Sequence, residues 1–197
     1  MYNRAVLFAA LPLALAACSQ KPAAEATQRI SLDQVRQSSD QTLASPDTKR
    51  AVWTVSASGK AINFGDQGAD PLLTLDCRLQ DRANPQLAVI RHAPAFPGQT
   101  AIFAVMGNGY VARLPADATL ADGEWRWETS LPAFDRQWNL FIGAGDMRAT
   151  LPGKGAVMIP ADPIPGEFVT WCRAGGLSAP VATPAPTPTP TPAPTRG

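Results

Sequence analysis

The stretch AIFAVMGNGYVARL, residues 101–114, decides the fold class. Asn108-Gly109 is a pair suited to the left-handed backbone of a two-residue hairpin turn, and apolar residues lie on both sides of it. VWTVSASGKAINFG (52–65) repeats the device: Trp53 and Val55 precede a Ser58-Gly59 turn, and Ile62 and Phe64 follow it. QLAVIRH (86–92), GEWRWETS (123–130), QWNLFIG (137–143), MRATLP (147–152) and GAVMIP (155–160) add further strands, parted by GAGD and PGKG turns. No run long enough for a helix shows a period of 3.6. The expectation is an all-β domain over residues 51–175, an antiparallel β-sandwich or small closed β-barrel of about nine or ten strands.

The flanks differ in composition. Residues 18–50 are rich in Ala, Gln, Ser, Thr and Asp and poor in apolar side chains, so they read as a disordered tether. Within it ISLDQV (30–35) offers one short helix, with Ser31 as N-cap and Gln34 three residues on. Residues 176–197 read as a disordered Pro/Thr/Ala tail. Its APVATPAPTPTPTPAPTRG run favours polyproline II, at about 3.1 Å per residue.

At the other end, Arg4 precedes an apolar core from Ala5 to Ala17, too short for the about 20 residues that cross a bilayer. Residues 1–17 therefore read as a signal peptide. Leu15-Ala16-Ala17-Cys18 resembles the lipobox of bacterial lipoproteins, which implies cleavage before Cys18 and acylation of its thiol. Ser19, in place of an aspartate, implies sorting to the outer membrane of a Gram-negative cell, with the domain in the periplasm or at the cell surface. The full chain has 17 Lys+Arg against 16 Asp+Glu, and loss of Arg4 leaves 16 against 16. A neutral chain with no basic stripe disfavours nucleic acid as a partner.

With Cys18 lipidated, Cys77 and Cys172 remain as a pair in an oxidising compartment. They end two apolar runs, LLTLDC and FVTWC, so a disulfide would clip an early strand to the last one. Closing a loop of 172 − 77 = 95 residues stabilises by roughly 4–5 kcal/mol in the chain-entropy model.

Candidate chemistry is sparse. His92 is the one histidine, and nothing around it matches a triad or a zinc site, so it reads as a surface or loop residue. FGDQGADP carries Asp66 and Asp70 but lacks the oxygen spacing of a calcium cage and reads as a polar turn, so no metal is expected. In GEWRWETS, strand alternation puts Trp125 and Trp127 on one face and Glu124, Arg126 and Glu128 on the other. The tryptophans are core residues or a stacking platform for sugar rings; the charged residues form an outward ladder. Glutamates pointing the same way from one strand cannot flank a glycosidic bond. The glycine turns lead into no helix N-terminus, so no phosphate cradle or cofactor site is expected.

SPDTKRAVWTVSASGK (45–60) and the closing FVTWC give the domain a look similar to uncharacterised lipoproteins of Gram-negative bacteria, a resemblance that implies no activity. GNGYVARL, with Gly109-Tyr110, loosely resembles the inhibitory loop of membrane-anchored lysozyme inhibitors. The expected function is a non-enzymatic, lipid-anchored envelope protein that binds a protein or wall component. The alternative is a lysozyme-inhibitor-like or wall-acting protein.

Overall fold

The computed structural model describes residues 42–177. In chain order its strands are β1 Val52–Val55, β2 Ala61–Gly65, β3 Leu73–Arg78, β4 Gln86–Arg91, β5 Thr100–Gly107, β6 Tyr110–Ala121, β7 Glu124–Pro132, β8 Met147–Thr150 and β9 Ala156–Ile159. A 3-10 turn, Arg136–Phe141, separates β7 from β8, and a helix, α1, spans Ile164–Arg173.

All nine strands join one antiparallel sheet in the order β1-β2-β3-β4-β7-β6-β5-β8-β9. The first four form a meander. Residues 92–99 then carry the chain across to β5, and two hairpins bring β7 back beside β4, a Greek-key return. Those hairpins are set by turn chemistry. Gly107 faces Tyr110 across Asn108 (φ 50°) and Gly109 (φ 76°), and Ala121 faces Glu124 across Asp122 (φ 54°) and Gly123 (φ 83°). Both central residues of each turn are left-handed, the geometry that matches the twist of the flanking strands.

β1 and β9 are the two edges, so the sheet is open and sandwich-like and does not close into a barrel. Its inner face forms one core: Phe64, Leu75, Val89, Phe103, Leu114 and Val157 pack in a single cluster with Trp138, Phe141, Phe168 and Val169 from the 3-10 turn and α1. The two helical pieces thus cover the sheet where a second layer would otherwise be needed.

Three expectations are corrected. QWNLFIG is the 3-10 turn: the Asp135 carboxylate accepts from the Gln137 N–H at its start, and Trp138, Leu140 and Phe141 all turn inward. FVTWC lies in α1, so the chain does contain a helix, and its last element is not a strand. The disulfide between Cys77 and Cys172 forms as expected, but it joins β3 to that helix. Gly166 lets α1 seat against the 3-10 turn, since a Cβ there would stand 2.9 Å from the Phe141 carbonyl oxygen.

The packed domain also extends beyond residue 51. The Leu43 N–H donates to the Gly153 carbonyl at 2.8 Å and the Ala156 N–H to Ser45 Oγ at 3.0 Å, so residues 43–45 run along the β8–β9 turn. The expected signal peptide, Cys18, the ISLDQV helix and the proline run lie outside the described residues.

Candidate functional site

Three connections meet at one end of the sheet: the β2–β3 loop, the segment after β4, and the tip of the β6–β7 hairpin. Between them lies a cleft of about 670 Å³, lined among others by Asp70, His92, Phe96, Glu124, Trp125 and Arg126. That volume is in the range of small-molecule sites. Its walls are held by one buried cation. Arg91, 4% exposed, donates from Nη1 to the Leu72 carbonyl at 3.0 Å and the His92 carbonyl at 2.8 Å, and from Nη2 to the Lys154 carbonyl at 3.4 Å.

β7 supplies the rest of the site. Trp127 is core, 4% exposed, and its indole N–H donates to the Pro94 carbonyl, which fixes the segment after β4 against the strand. Trp125, two residues nearer the hairpin tip, is only partly buried and reaches the cleft. The pair expected to act together as a platform is thereby divided, with Trp125 alone lining the cleft. Arg126 is half-buried beside it. Its Nη1 lies 3.6 Å from a carboxylate oxygen of Asp122, a side chain 92% exposed, and its Nε is buried with no partner among the described residues. The expected ladder of Glu124, Arg126 and Glu128 is not formed. Glu128 instead pairs with Arg78 at 2.6 Å, and Arg78 also bonds Asp76 at 3.2 Å. In the strand register that bridge passes over β4 at Ala88, which is why an outward residue there is fully covered.

His92 is a loop residue, as expected, but a half-buried one. It follows β4 directly and bonds Thr74 Oγ1 through Nε2 at 2.9 Å, while Thr74 donates its one hydroxyl proton to Asn63 Oδ1 at 2.7 Å. With Asn63 so oriented, Nε2 carries the ring proton and donates it to Thr74, leaving Nδ1 as the acceptor. Burial pushes the His92 pKa down to about 4, and the nearby Arg126 and Arg91 guanidiniums push the same way against Asp70. The imidazole is neutral at pH 7. It cannot activate Thr74, because the nitrogen that would take the hydroxyl proton already holds one.

This carries a pH dependence of stability. The unfolded histidine takes a proton near pH 6.5 and the folded one near 4, so the unfolded state binds more protons between those values. Stability from this group is whole above about pH 6.5 and drains away as pH falls to 4. The loss amounts to about 1–2 kcal/mol once screening of a partly solvated ring is allowed for. In urea melts at pH 7.0 and 4.5, His92→Gln is expected to show the smaller drop; equal drops for the two proteins would refute the assignment.

A larger depression, about 750 Å³, lies between the start of β6 and the 3-10 turn and includes Tyr110, Arg113 and Arg136. Its partly buried Asp135 is engaged in capping the turn, so the His92 cleft is the stronger candidate. Tyr110, of the inhibitor-like motif, is half-exposed at that depression, away from His92. Asp66 pairs with Arg50 at 2.6 Å, outside the cleft, whereas Asp70 lines it. Sequence reasoning passed over Arg126 as a site residue and over Phe96. The Asp122-Gly123 pair was the available signal, since it places residues 124–126 at a hairpin tip. Comparison of the chain with protein-family models, with curated proteins and with solved structures finds no match.

Proposed function

We propose that the chain is a lipid-anchored protein of the outer membrane whose β-domain is a non-catalytic binding module for a component of the cell wall. The anchor rests on Leu15-Ala16-Ala17-Cys18 and the apolar core before it. The binding reading rests on one observation: a cleft of about 670 Å³ in which a partly exposed indole, Trp125, lies among planar polar side chains from three connections. Aromatic faces flanked by such groups hold ring-shaped or planar ligands by contact area, with the polar groups setting orientation. The chemistry of the histidine argues against turnover, for its Nε2 proton is committed to Thr74 and no nucleophile pairs with it. No cofactor is invoked.

One fractionation experiment tests both halves. The full chain, expressed in a Gram-negative host fed labelled fatty acid, is expected to carry label and sediment with the outer membrane, and Cys18→Ser to lose both. Purified wall fragments are expected to retain the wild-type domain, and Trp125→Ala to elute at least tenfold earlier while melting within a few degrees of wild type. Label retained by Cys18→Ser refutes the anchor. Equal retention of Trp125→Ala refutes the cleft as the binding site.

A further inference from the structure

The distribution of charge in the cleft is uneven. Its three acids, Asp70, Asp122 and Glu124, are all exposed and stand at the rim. Arg126 is deeper, with a side chain 22% exposed. Each rim carboxylate is hydrated by bulk water. The guanidinium is not so served: its Nε is shut off from solvent with no acceptor among the described residues, and its one ion pair among them is a loose contact to a side chain almost wholly in water. A buried donor left without an acceptor is destabilising, more so on a charged group, and that cost is recovered when a ligand supplies one. A guanidinium presents its donors as a planar fork, which fits the two oxygens of a carboxylate.

A simple anion does not suit the rest of the lining, where three carboxylates outnumber one guanidinium. A ligand with both signs of charge does. His92 adds to this: with Nε2 donating to Thr74, its remaining ring nitrogen accepts, and the ring stays neutral in the presence of Arg126. The cleft thus offers cationic donors at depth, and acceptors and negative charge at the mouth.

We propose that the cleft binds a zwitterionic amino-acid or peptide end, its carboxylate on Arg126, its ammonium toward Asp70 and Glu124, and its side chain against Trp125. This rests on the binding-module reading and names the ligand class for the same site. The aromatic face supplies apolar area, and the acids at the mouth screen out ligands whose only charge is negative.

The test is calorimetric titration of the full chain, purified in detergent, with four probes: dialanine, its C-terminal amide, its N-acetyl form, and N,N′-diacetylchitobiose as an uncharged sugar. Dialanine is expected to bind, and each blocked form to bind at least tenfold more weakly. Arg126→Gln is expected to bind dialanine and the amide alike, and Arg126→Lys, which keeps the charge without the fork, to fall between. Neither substitution is expected to move the melting temperature by more than a few degrees, because the ion pair given up is a loose one whose Asp122 side lies almost wholly in water. Equal binding of dialanine and its amide to the wild type overturns the proposal, as does Arg126→Gln retaining wild-type discrimination. Binding of the disaccharide alone, lost in Trp125→Ala, overturns it while leaving the binding-module reading in place. Binding of no probe overturns it as well, and retention on wall fragments then decides the module reading by itself.

Discussion

Replacing Cys77 and Cys172 together by alanine is expected to lower the melting temperature by on the order of 10–20 °C. The bridge closes a loop of 95 residues, and its removal returns roughly 4–5 kcal/mol of chain entropy to the unfolded state. For a domain of this size each kcal/mol moves the midpoint by about 3–5 °C. The loss is not spread evenly over the molecule. Phe168, Val169 and Trp171 hold α1 to the core, and Arg173 ties its end to the Ala133 and Asp135 carbonyls and to Asn139 Oδ1. The disulfide is the covalent tie between this helix and the sheet. Amides of α1 are therefore expected to exchange faster in the double variant, by a larger factor than those of β6. The measurement is a thermal melt without reductant, paired with hydrogen exchange. A midpoint unchanged from wild type would show that the bridge contributes nothing. Uniform acceleration over β6 and α1 would show that α1 does not open separately.

What the sequence told of the fold was written in turn chemistry. Asn108-Gly109 and Ser58-Gly59 set hairpins whose neighbours are local, and β-strand alternation fixed which residues of β7 face the core. The order of the strands was not legible, because nothing in residues 92–99 says that the chain crosses to β5 before returning. Nor was the choice between an open and a closed sheet, which depends on whether two edges far apart in sequence meet. The helix was missed for a physical reason. In PIPGEFVTWCR, Pro163, Pro165 and Gly166 read as breakers, yet Pro165 stands in the first turn, where a missing N–H is harmless. Glu167 near the start and Arg173 near the end were the compensating signals, and the buried 165, 168, 169 and 172 follow helical spacing. In the 3-10 turn, alternating Trp138, Leu140 and Ile142 imitate a strand, whereas Asp135 as a cap pointed the other way. The cleft was half visible. Trp125 stood out by type; Arg126 gained its meaning only from burial and from the lack of a partner for Nε, neither of which strand periodicity reports.

Arg91 poses the sharpest energetic question, and its removal is the second large effect expected. It is a buried cation that bonds backbone carbonyls alone, and burial lowers its pKa. Two terms oppose each other. Desolvating a charge with no counter-ion costs several kcal/mol, and an apolar substitute removes that cost. Against it, the His92 and Lys154 carbonyls would each lose this donor at about 1–3 kcal/mol, whereas the Leu72 carbonyl keeps a second bond, from the His92 N–H at 3.1 Å. Alanine adds a cavity as well. The two carbonyls left unpaired and the cavity together outweigh the relieved charge, so Arg91→Ala is expected to destabilise by about 3–5 kcal/mol. Arg91→Met, which restores volume but no donors, should lose about 2–3 kcal/mol. Arg91→Lys should sit nearest wild type, since one ammonium can still serve a carbonyl. Urea melts of the three variants separate the terms: the step from alanine to methionine reports volume, and the step from methionine to lysine reports donors. Because Leu72 and His92 also line the cleft, the methionine variant should weaken retention on wall fragments under conditions where it is fully folded. A methionine variant as stable as the wild type, or more so, would mean that the cost of the buried charge exceeds the worth of its bonds. Arg91 would then be held there at the expense of stability, with the shape of the cleft as what it secures.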